Sequence, residues 1–335
     1  MLKFAKADKE SRAEVFVNAG TELDINPAIV EKDFWVCYVL DYLFHRSKWK
    51  NAFVFKGGTS LSKAYKAIER FSEDVDLIMD WRLIDYTDDQ AWEERSKTQQ
   101  DKYGKQMVKD AANFLKDVFR PELQEGLRSE LGESISVEMD EGDKDGCTVN
   151  VYYEHAFQDS YLRPEIRLEI GPLAEWTPSH ERIIEPFVAE IYPIAFDTTH
   201  TAVTTVDAER TFWEKALILH KTAYSCEEKG IPLRYARHYY DLYCLDKAGL
   251  KDSAFEQIDL LERDVIFKSK FYYAKNARYD MAKPGTILLV PRSDEAIEIL
   301  ADDYENMRLM IYGEAPEFNE IIDRLREIES EINAM

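Results

Sequence analysis

Two aspartates separated by one residue are the side chains of this 335-residue sequence whose type and spacing most clearly suggest chemistry. Asp74 and Asp76 flank the start of an apolar run, Val75 to Met79, and alternation along a strand places both carboxylates on one face. Two carboxylates so close repel each other unless a cation lies between them, and hard oxygen ligands suit Mg²⁺. The pair therefore predicts a magnesium site that carries the phosphates of a nucleotide.

A glycine pair precedes these aspartates. Gly57 and Gly58 follow a short buried-strand pattern, Phe53 to Phe55, and without a Cβ they let the backbone approach a ligand closely. A helix is predicted from about Leu61 to Glu69, with its N-terminal N–H groups facing the turn. The nearby side chains that could cap this helix or add positive charge are Thr59, Ser60, Lys56 and Lys63. The pattern predicts a phosphate-binding turn; the alternative is a tight turn followed by a solvated acidic strand end.

The two stretches KGGTSL (56–61) and RFSEDVDL (70–77) together resemble the DNA polymerase β-like nucleotidyltransferase superfamily, and more narrowly the AbiEii/AbiGii toxin family. The resemblance implies an α/β (α+β) core in which a mixed sheet is flanked by helices. It also implies that residues 57–60 grip the triphosphate of an NTP, with Ser72 as a further hydroxyl donor beside the metal.

A later strand could supply a third carboxylate. Segments 135–139 and 148–153 flank a turn sequence, EGDKDG, and predict a hairpin in the same sheet. The next strand, Glu165 to Ile170, places Arg167 and Glu169 on one face. Superfamily members usually carry a third carboxylate there, so Glu169 is the candidate third metal ligand. The alternative is a solvent-facing glutamate paired with Arg167.

The chain changes character near residue 195. We expect a nucleotidyltransferase core with N-terminal helices over 1–195 and a mainly helical domain over 196–335. Within the first part, Asn26-Pro27 predicts the start of a long helix. Its segment Glu31-Lys32-Asp33 also resembles an AbiEii phrase, and its simplest interpretation is a charged outer face without chemistry.

A second block, ERTFWEKALILHK (209–221) followed by RYARHYYDLYCL (234–245), also resembles the AbiEii family. The resemblance assigns the family's lysine to Lys215, its arginine to Arg237 and its aspartate to Asp241. It implies that these residues act opposite the Asp-x-Asp strand in the helical domain. Helical spacing places Arg234, Arg237 and Asp241 on one predicted face. The alternative is an ordinary salt bridge between helices.

One segment stands out because it combines cations with aromatic rings. From Arg263 onward the sequence RDVIFKSKFYYAKNARYD alternates lysines and arginines with phenylalanines and tyrosines. Such a composition could contact phosphates and stack on unpaired bases. The alternative is that the aromatic rings belong to the core.

Composition limits the remaining possibilities. The net charge of −22 opposes non-specific binding to nucleic acid or anionic membranes. The four cysteines have no C-x-x-C spacing, and the sequence contains no apolar run of membrane-spanning length. We therefore expect a cytoplasmic protein with reduced thiols and no membrane partner.

Together these patterns predict a Mg²⁺-dependent nucleotidyltransferase that moves a nucleoside monophosphate from an NTP to an acceptor. The resemblance implies a toxin of a toxin–antitoxin or phage-defence system, with the 3′ end of tRNA as one acceptor and a separately encoded antitoxin. The alternatives are a protein or small-molecule hydroxyl as acceptor, or a nucleotide-binding interaction protein without catalysis.

Overall fold

The computed structural model describes residues 1–158 and 162–335, and it divides into two compact units. The first unit comprises Met1–Ala64 and Phe71–Val206, and the second comprises Tyr65–Arg70 and Asp207–Met335. The main division therefore falls after Val206, later than the boundary near residue 195 expected from the sequence. It falls there because the strand that ends at Val206 is paired within the sheet of the first unit.

The described part of the first unit contains a seven-stranded sheet. Its strands are β1 (Phe53–Lys56), β2 (Asp74–Met79), β3 (Ile135–Met139), β4 (Thr148–Tyr153), β5 (Glu165–Gly171), β6 (Ser179–Ile184) and β7 (Thr201–Val206). The spatial order is β3-β4-β5-β2-β1-β7-β6. β1 runs parallel to β7 and β2 runs parallel to β5, whereas the other neighbours are antiparallel. This mixed sheet and the β3–β4 hairpin confirm the predicted α/β architecture.

The first unit also contains helices. They are α1 (Leu2–Ala5), α2 (Lys9–Leu23), α3 (Pro27–Asp41), α4 (Gly57–Lys63), α5 (Asp88–Trp92), α6 (Lys97–Phe114), α7 (Arg120–Leu131) and α8 (Phe187–Ile191). Of these, α3, α4 and α7 pack against this sheet. The start of α3 follows the predicted signal, because the Asn26 side chain accepts a hydrogen bond from the Ala28 N–H at 2.9 Å and Pro27 occupies the first helical position.

Helix α4 differs from the expectation of a glycine turn followed by a longer helix. It begins at Gly57, so the glycines form its first turn, and it ends at Lys63 instead of near Glu69. The backbone then leaves the helical conformation, with Lys66 at a φ of +49°, which an L residue rarely adopts within a helix. Residues 65–70 therefore connect α4 to β2 in a non-helical conformation.

The second unit is mainly helical, as predicted. Its helices are α9 (Ala208–Lys229), α10 (Ala236–Lys247), α11 (Leu250–Glu256), α12 (Ile258–Phe271), α13 (Asp294–Met307) and α14 (Phe318–Asn333). Helix α10 begins only at Ala236, because Arg234 adopts a φ of +64° and so lies outside the helix. The carboxylate of Asp303 accepts the Arg234 and Ala236 N–H groups at 2.7 and 2.8 Å and so fixes the start of α10.

No helix within residues 1–158 and 162–335 combines the length and the apolar character that a membrane span requires.

Candidate functional site

A polar patch lies on one face of the central strands of the first unit. On β2, Asp74 and Asp76 are partly exposed and alternate with buried apolar residues. The register of the parallel neighbour β5 places Arg167 beside Asp74 and Glu169 beside Asp76. Two parallel strands therefore bring all three predicted carboxylates to one face of the sheet.

Glu169 is a carboxyl group of this patch with a raised pKa. Burial, together with the negative charges of Asp74 and Asp76, raises its pKa to about 6. The Arg167 guanidinium opposes this effect, and its Nη2 donates to Glu169 Oε1 at 3.2 Å. Glu169 lies beside the aspartate pair and is paired with Arg167, as the second interpretation expected, and its role as a third metal ligand stays a prediction.

Arg167 links the carboxylates of the patch. Besides its contact with Glu169, its Nε lies 3.4 Å from Asp74 Oδ1 and its Nη1 donates to Asp140 Oδ2 at 2.5 Å. Across the described ranges, 1–158 and 162–335, no three His, Cys, Asp or Glu side chains converge closely enough to hold a metal ion. In this arrangement a guanidinium neutralises the cluster, and a metal would be bound first by the two aspartates of β2.

Gly57 lies directly against the Asp76 carboxylate. It has a φ of +78°, and a Cβ built at this position would overlap the Asp76 carboxylate. The antiparallel register of β1 and β2 explains the contact, since Lys56 pairs with Asp76 directly before the glycine. Only glycine leaves room here for the carboxylate of Asp76 against the backbone.

The hydroxyl groups of α4 bond to the protein backbone instead of capping the helix. Thr59 is buried, and its Oγ1 donates to the Asp74 carbonyl at 2.5 Å and also lies 3.3 Å from the Ser72 carbonyl. Ser60 Oγ donates to the Gly57 carbonyl at 2.8 Å. Gly58 is buried beneath them. Thr59 therefore fastens α4 to the start of β2, which positions the glycines relative to Asp74.

The charged triplet of α3 is buried, so its interpretation as an outer charged face is wrong. Glu31, Lys32 and Asp33 are 2%, 1% and 4% exposed. Two of them form ion pairs inside the unit: Lys32 lies 3.3 Å from Glu73, and Asp33 lies 2.7 Å from Lys63. The Glu31 carboxylate accepts the Ala156 N–H at 2.8 Å. Lys63 consequently neutralises a buried aspartate and is not a free positive charge beside the glycines.

These buried pairs connect α3 to both halves of the predicted nucleotide site. Lys63 is the last residue of α4, and Glu73 directly precedes Asp74. Burial raises the pKa of Asp33 and lowers the pKa of Lys32, and the opposite charges of Lys63 and Glu73 oppose these effects. In the sequence, the only indication of this role was the resemblance of Glu31-Lys32-Asp33 to the AbiEii family, because the partners Glu73 and Lys63 are distant in sequence.

A second polar cluster lies inside the helical unit. Lys215 of α9 donates from Nζ to Asp241 Oδ2 of α10 at 2.7 Å, and both side chains are buried. Arg70 completes the cluster, with Nε 2.7 Å from Asp241 Oδ1 and Nη2 2.8 Å from Oδ2. Sequence patterns did not single out Arg70, since its partner lies 171 residues away.

Charge neutralisation dominates this cluster. Burial disfavours ionisation of Asp241, but the charges of Arg70 and Lys215 outweigh it and hold its pKa well below the usual range. Burial lowers the pKa of the Lys215 ammonium, an effect that Asp241 opposes. His238 Nδ1 lies 3.2 Å from Lys215 Nζ, and burial followed by the Lys215 charge lowers the pKa of His238 far enough to keep it neutral.

Arg237 lies beside this cluster on α10 and is half-buried. Its positive charge contributes to lowering the pKa of Lys215 and of His238, which places it within electrostatic range of both. Among the residues that the structure describes, it forms no ion pair with a carboxylate. Arg234 lies outside α10 and is exposed, so it does not share the predicted helix face.

One family of known proteins matches most of the chain. The sequence model of a family described as "Nucleotidyl transferase AbiEii toxin, Type IV TA system" matches residues 39–324. No curated protein sequence matches the chain. Among solved structures, the nucleotidyltransferase toxin MenT4 from Mycobacterium tuberculosis H37Rv aligns with a TM-score of 0.46 and 15% identity, over 95% of this chain and 98% of that one.

Proposed function

The chain belongs to the AbiEii family of nucleotidyl transferase toxins of type IV toxin–antitoxin systems, and from this premise we propose the reaction that it performs. In the cytoplasm it transfers a nucleoside monophosphate from an NTP to an acceptor hydroxyl. The acceptor oxygen bonds to the α-phosphorus, the bond from that phosphorus to the bridging oxygen breaks, pyrophosphate leaves and the hydroxyl loses its proton.

The observation that carries this proposal is the contact between Gly57 and Asp76. Because Gly57 has no Cβ, the start of α4 lies directly against the Asp76 carboxylate of β2. Asp74 is on the same strand, and Glu169 is opposite Asp76 on β5. Such an arrangement brings exposed backbone and hard anionic oxygens together, which is what a metal-bound polyphosphate requires. A purely structural turn would not need a carboxylate at the glycine.

The donor set fits Mg²⁺. Asp74 and Asp76 provide hard oxygen ligands on one strand face, and the pKa of Glu169 is raised first by burial and then by the negative charges of these aspartates, which a cation would offset. When bound, Mg²⁺ would neutralise the charge that develops on the phosphates. The Arg167 guanidinium neutralises part of the negative charge of Glu169, so Glu169 could act as a third metal ligand only if its hydrogen bonds to Arg167 break.

The helical unit supplies positive charge. We assign Lys215 and Arg237 to the phosphates of the NTP, because a lysine ammonium and an arginine fork can neutralise charge as it develops in transfer. Asp241 orients Lys215 and does not act as a base, since both of its oxygens accept hydrogen bonds from cations and its pKa is depressed. Arg70 is a positioning residue that holds Asp241.

The acceptor that we favour is the 3′ end of tRNA, with a separately encoded antitoxin as the neutralising partner and phage defence as one setting. The alternative acceptor is a protein or small-molecule hydroxyl, which the net charge of −22 favours. The idle nucleotide-binding alternative is disfavoured because Asp74, Asp76, Lys215 and Asp241 are all present in ordered surroundings.

Incubation of the protein with each α-³²P-labelled NTP, together with total RNA or total protein, tests the proposal. Label in the RNA fraction with Mg²⁺ and none with EDTA is the expected result. Label in the protein fraction alone would show that the acceptor is a protein hydroxyl and not RNA. No label in either fraction with any NTP, together with NTP binding that survives the Asp76→Asn substitution, would overturn both the reaction and the metal assignment.

A further inference from the structure

The C-terminal end of α12 carries an exposed group of aromatic and cationic side chains, hereafter the α12 surface. Tyr272 and Tyr273 are 44% and 58% exposed, and Ile266, nearly two helical turns earlier, is 50% exposed. Lys268 and Lys270 lie between them, and the Lys268 ammonium is 4.7 Å from the Tyr272 ring centroid. The α12 surface therefore presents two adjacent tyrosine rings beside lysines on a protein whose net charge is −22.

The base of this surface is firmly packed. Phe267 is buried, and its ring lies 4.6 Å from that of Phe271. One turn earlier Asp264 forms a buried ion pair with Arg210 of α9, which fixes α12 on its neighbour. The expectation that these aromatic rings belong to the core thus holds for Phe267, whereas Tyr272 and Tyr273 are exposed on a fixed support.

Charge is concentrated at the same place. Residues 263–283 carry six Lys or Arg side chains against two Asp, within a chain whose net charge is −22. One of those aspartates, Asp264, is buried in its ion pair, and the other, Asp280, pairs with Arg278. The local excess of positive charge opposes the global field and favours a polyanion at short range.

We infer that the α12 surface binds a single-stranded segment of nucleic acid, with bases stacked on Tyr272 and Tyr273 and phosphates contacted by Lys268 and Lys270. Aromatic rings beside cations recognise unpaired strands in this way, because every base has a face that can stack and every linkage carries a charge. The inference rests on the proposed function and specifies its acceptor as a nucleic acid with an unpaired end.

A protein partner is a weaker match to these residues. Burial of two lysines against an apolar protein surface would carry a desolvation cost, whereas phosphates satisfy ammonium groups directly. A duplex would also present no base faces to the tyrosines. The α12 surface therefore distinguishes unpaired strands from paired ones.

Fluorescence anisotropy with the full-length protein tests the inference. The probe is a fluorescein-labelled oligouridine of about a dozen nucleotides, with oligodeoxythymidine and an RNA duplex of equal length as competitors. The double variant Tyr272→Ala/Tyr273→Ala should bind at least about tenfold more weakly, whereas Tyr272→Phe/Tyr273→Phe should bind like the wild type, because phenylalanine retains the ring. The variant Lys268→Gln/Lys270→Gln should reduce the slope of log affinity against log salt by about 0.7 for each phosphate that the protein no longer neutralises.

The control is Lys105→Gln on α6, which removes an exposed cation elsewhere; its affinity and salt slope should match the wild type. Competition by the oligouridine and not by the duplex supports the inference, and the ratio between oligouridine and oligodeoxythymidine assigns RNA or DNA. The inference is overturned if the alanine and phenylalanine variants bind alike, or if polyglutamate displaces the probe as well as oligouridine does.

This experiment separates the inference from the proposed function. Asp74→Asn/Asp76→Asn should bind oligouridine with unchanged affinity while transferring no nucleotide. Probe binding by a wild-type protein that transfers nothing would overturn the proposed reaction alone. Transfer to RNA that is unaffected by Tyr272→Ala/Tyr273→Ala would overturn the α12 surface alone.

Discussion

Arg70 donates two hydrogen bonds to Asp241, from Nε to Oδ1 at 2.7 Å and from Nη2 to Oδ2 at 2.8 Å. Both side chains are buried. The same Asp241 carboxylate accepts the Lys215 ammonium. Removal of Asp241 would leave two buried cations without their anion, and removal of Arg70 would leave Asp241 without two of its charge-assisted hydrogen bonds.

Arg70→Ala should therefore lower the free energy of unfolding of the helical unit by about 3–5 kcal/mol. Arg70→Lys should cost less but not zero, because an ammonium cannot reproduce the two-point contact. Hydrogen exchange of the α10 amides in increasing urea measures the effect. Arg326→Ala, which breaks an exposed pair with Asp323, is the control and should change stability by at most about 0.5 kcal/mol.

Lys215 and Asp241 should act as one unit in catalysis. Lys215→Ala and Asp241→Asn should each lower kcat, and the double variant should be little worse than the poorer single variant. Transfer kinetics at saturating NTP measure this, and losses that multiply would show that the two residues act independently.

The pH dependence distinguishes orientation from base catalysis by Asp241. Its pKa is held below the ordinary value of 3.8, so it stays ionised above that value and its contribution to stability is lost only as the pH falls through the depressed pKa. Between about pH 5 and pH 8, Asp241→Asn should thus lower the rate by the same factor at every pH and leave the pH of the acidic limb of kcat/KM unchanged. A limb that disappears in Asp241→Asn would identify Asp241 as the base.

Asp74→Asn/Asp76→Asn should abolish transfer and Mg²⁺ binding while the fold remains intact. The substitutions remove two ligands and relieve repulsion among carboxylates, so the melting temperature without Mg²⁺ should hold or rise. Calorimetric titration with Mg²⁺ and a thermal melt measure the two effects. Asp85→Asn, which removes one exposed carboxylate elsewhere in the same unit, should leave both unchanged.

Glu169 should make the stability of the first unit depend on pH. Its folded-state pKa of about 6 lies above the ordinary 4.5, so the native state binds the proton more tightly and stability rises as the pH falls from about 7 towards 4.5. Glu169→Gln should remove that rise. Urea unfolding at several pH values measures it, and Glu138→Gln on the edge strand β3 is the matched control; equal pH profiles for wild type and Glu169→Gln would contradict the shift.

Gly57→Ala should abolish transfer because its Cβ displaces the Asp76 carboxylate. Part of any loss would come from the left-handed backbone alone, at about 1–2 kcal/mol. Gly249→Ala isolates that part, since Gly249 has the same φ of +78° and open space around its Cβ position. Both variants should lose similar stability by thermal melt, and only Gly57→Ala should lose activity. If Gly57→Ala keeps wild-type kcat, the close contact with Asp76 has no catalytic role.

Alternation and turn chemistry were sufficient to predict the strands around the carboxylates. The hairpin of β3 and β4 has the predicted bounds, and Asp74, Asp76 and Glu169 share a face because strand periodicity is strict. The start of α4 was misplaced because a glycine pair favours a turn on propensity, whereas in the fold Thr59 bonds to the Asp74 carbonyl and fastens the helix to β2.

Burial of charge was the part that sequence patterns could not predict. From the sequence alone, the triplet Glu31, Lys32 and Asp33 is compatible with a solvent-exposed helix face. Its interaction partners lie on other elements of the unit and are distant in sequence. Arg70 was overlooked for the same reason. A local pattern carries no information about which distant side chain will neutralise a buried ion.

The pairing of β1 with β7 has a consequence for synthesis on the ribosome. Phe55 of β1 lies in register with Thr205 of β7, and Arg70 meets Asp241 still later in the chain. The strand directly before the glycines therefore cannot gain its second neighbour until most of the polypeptide has been translated. Truncated products that end before residue 201 would lack both of these pairings.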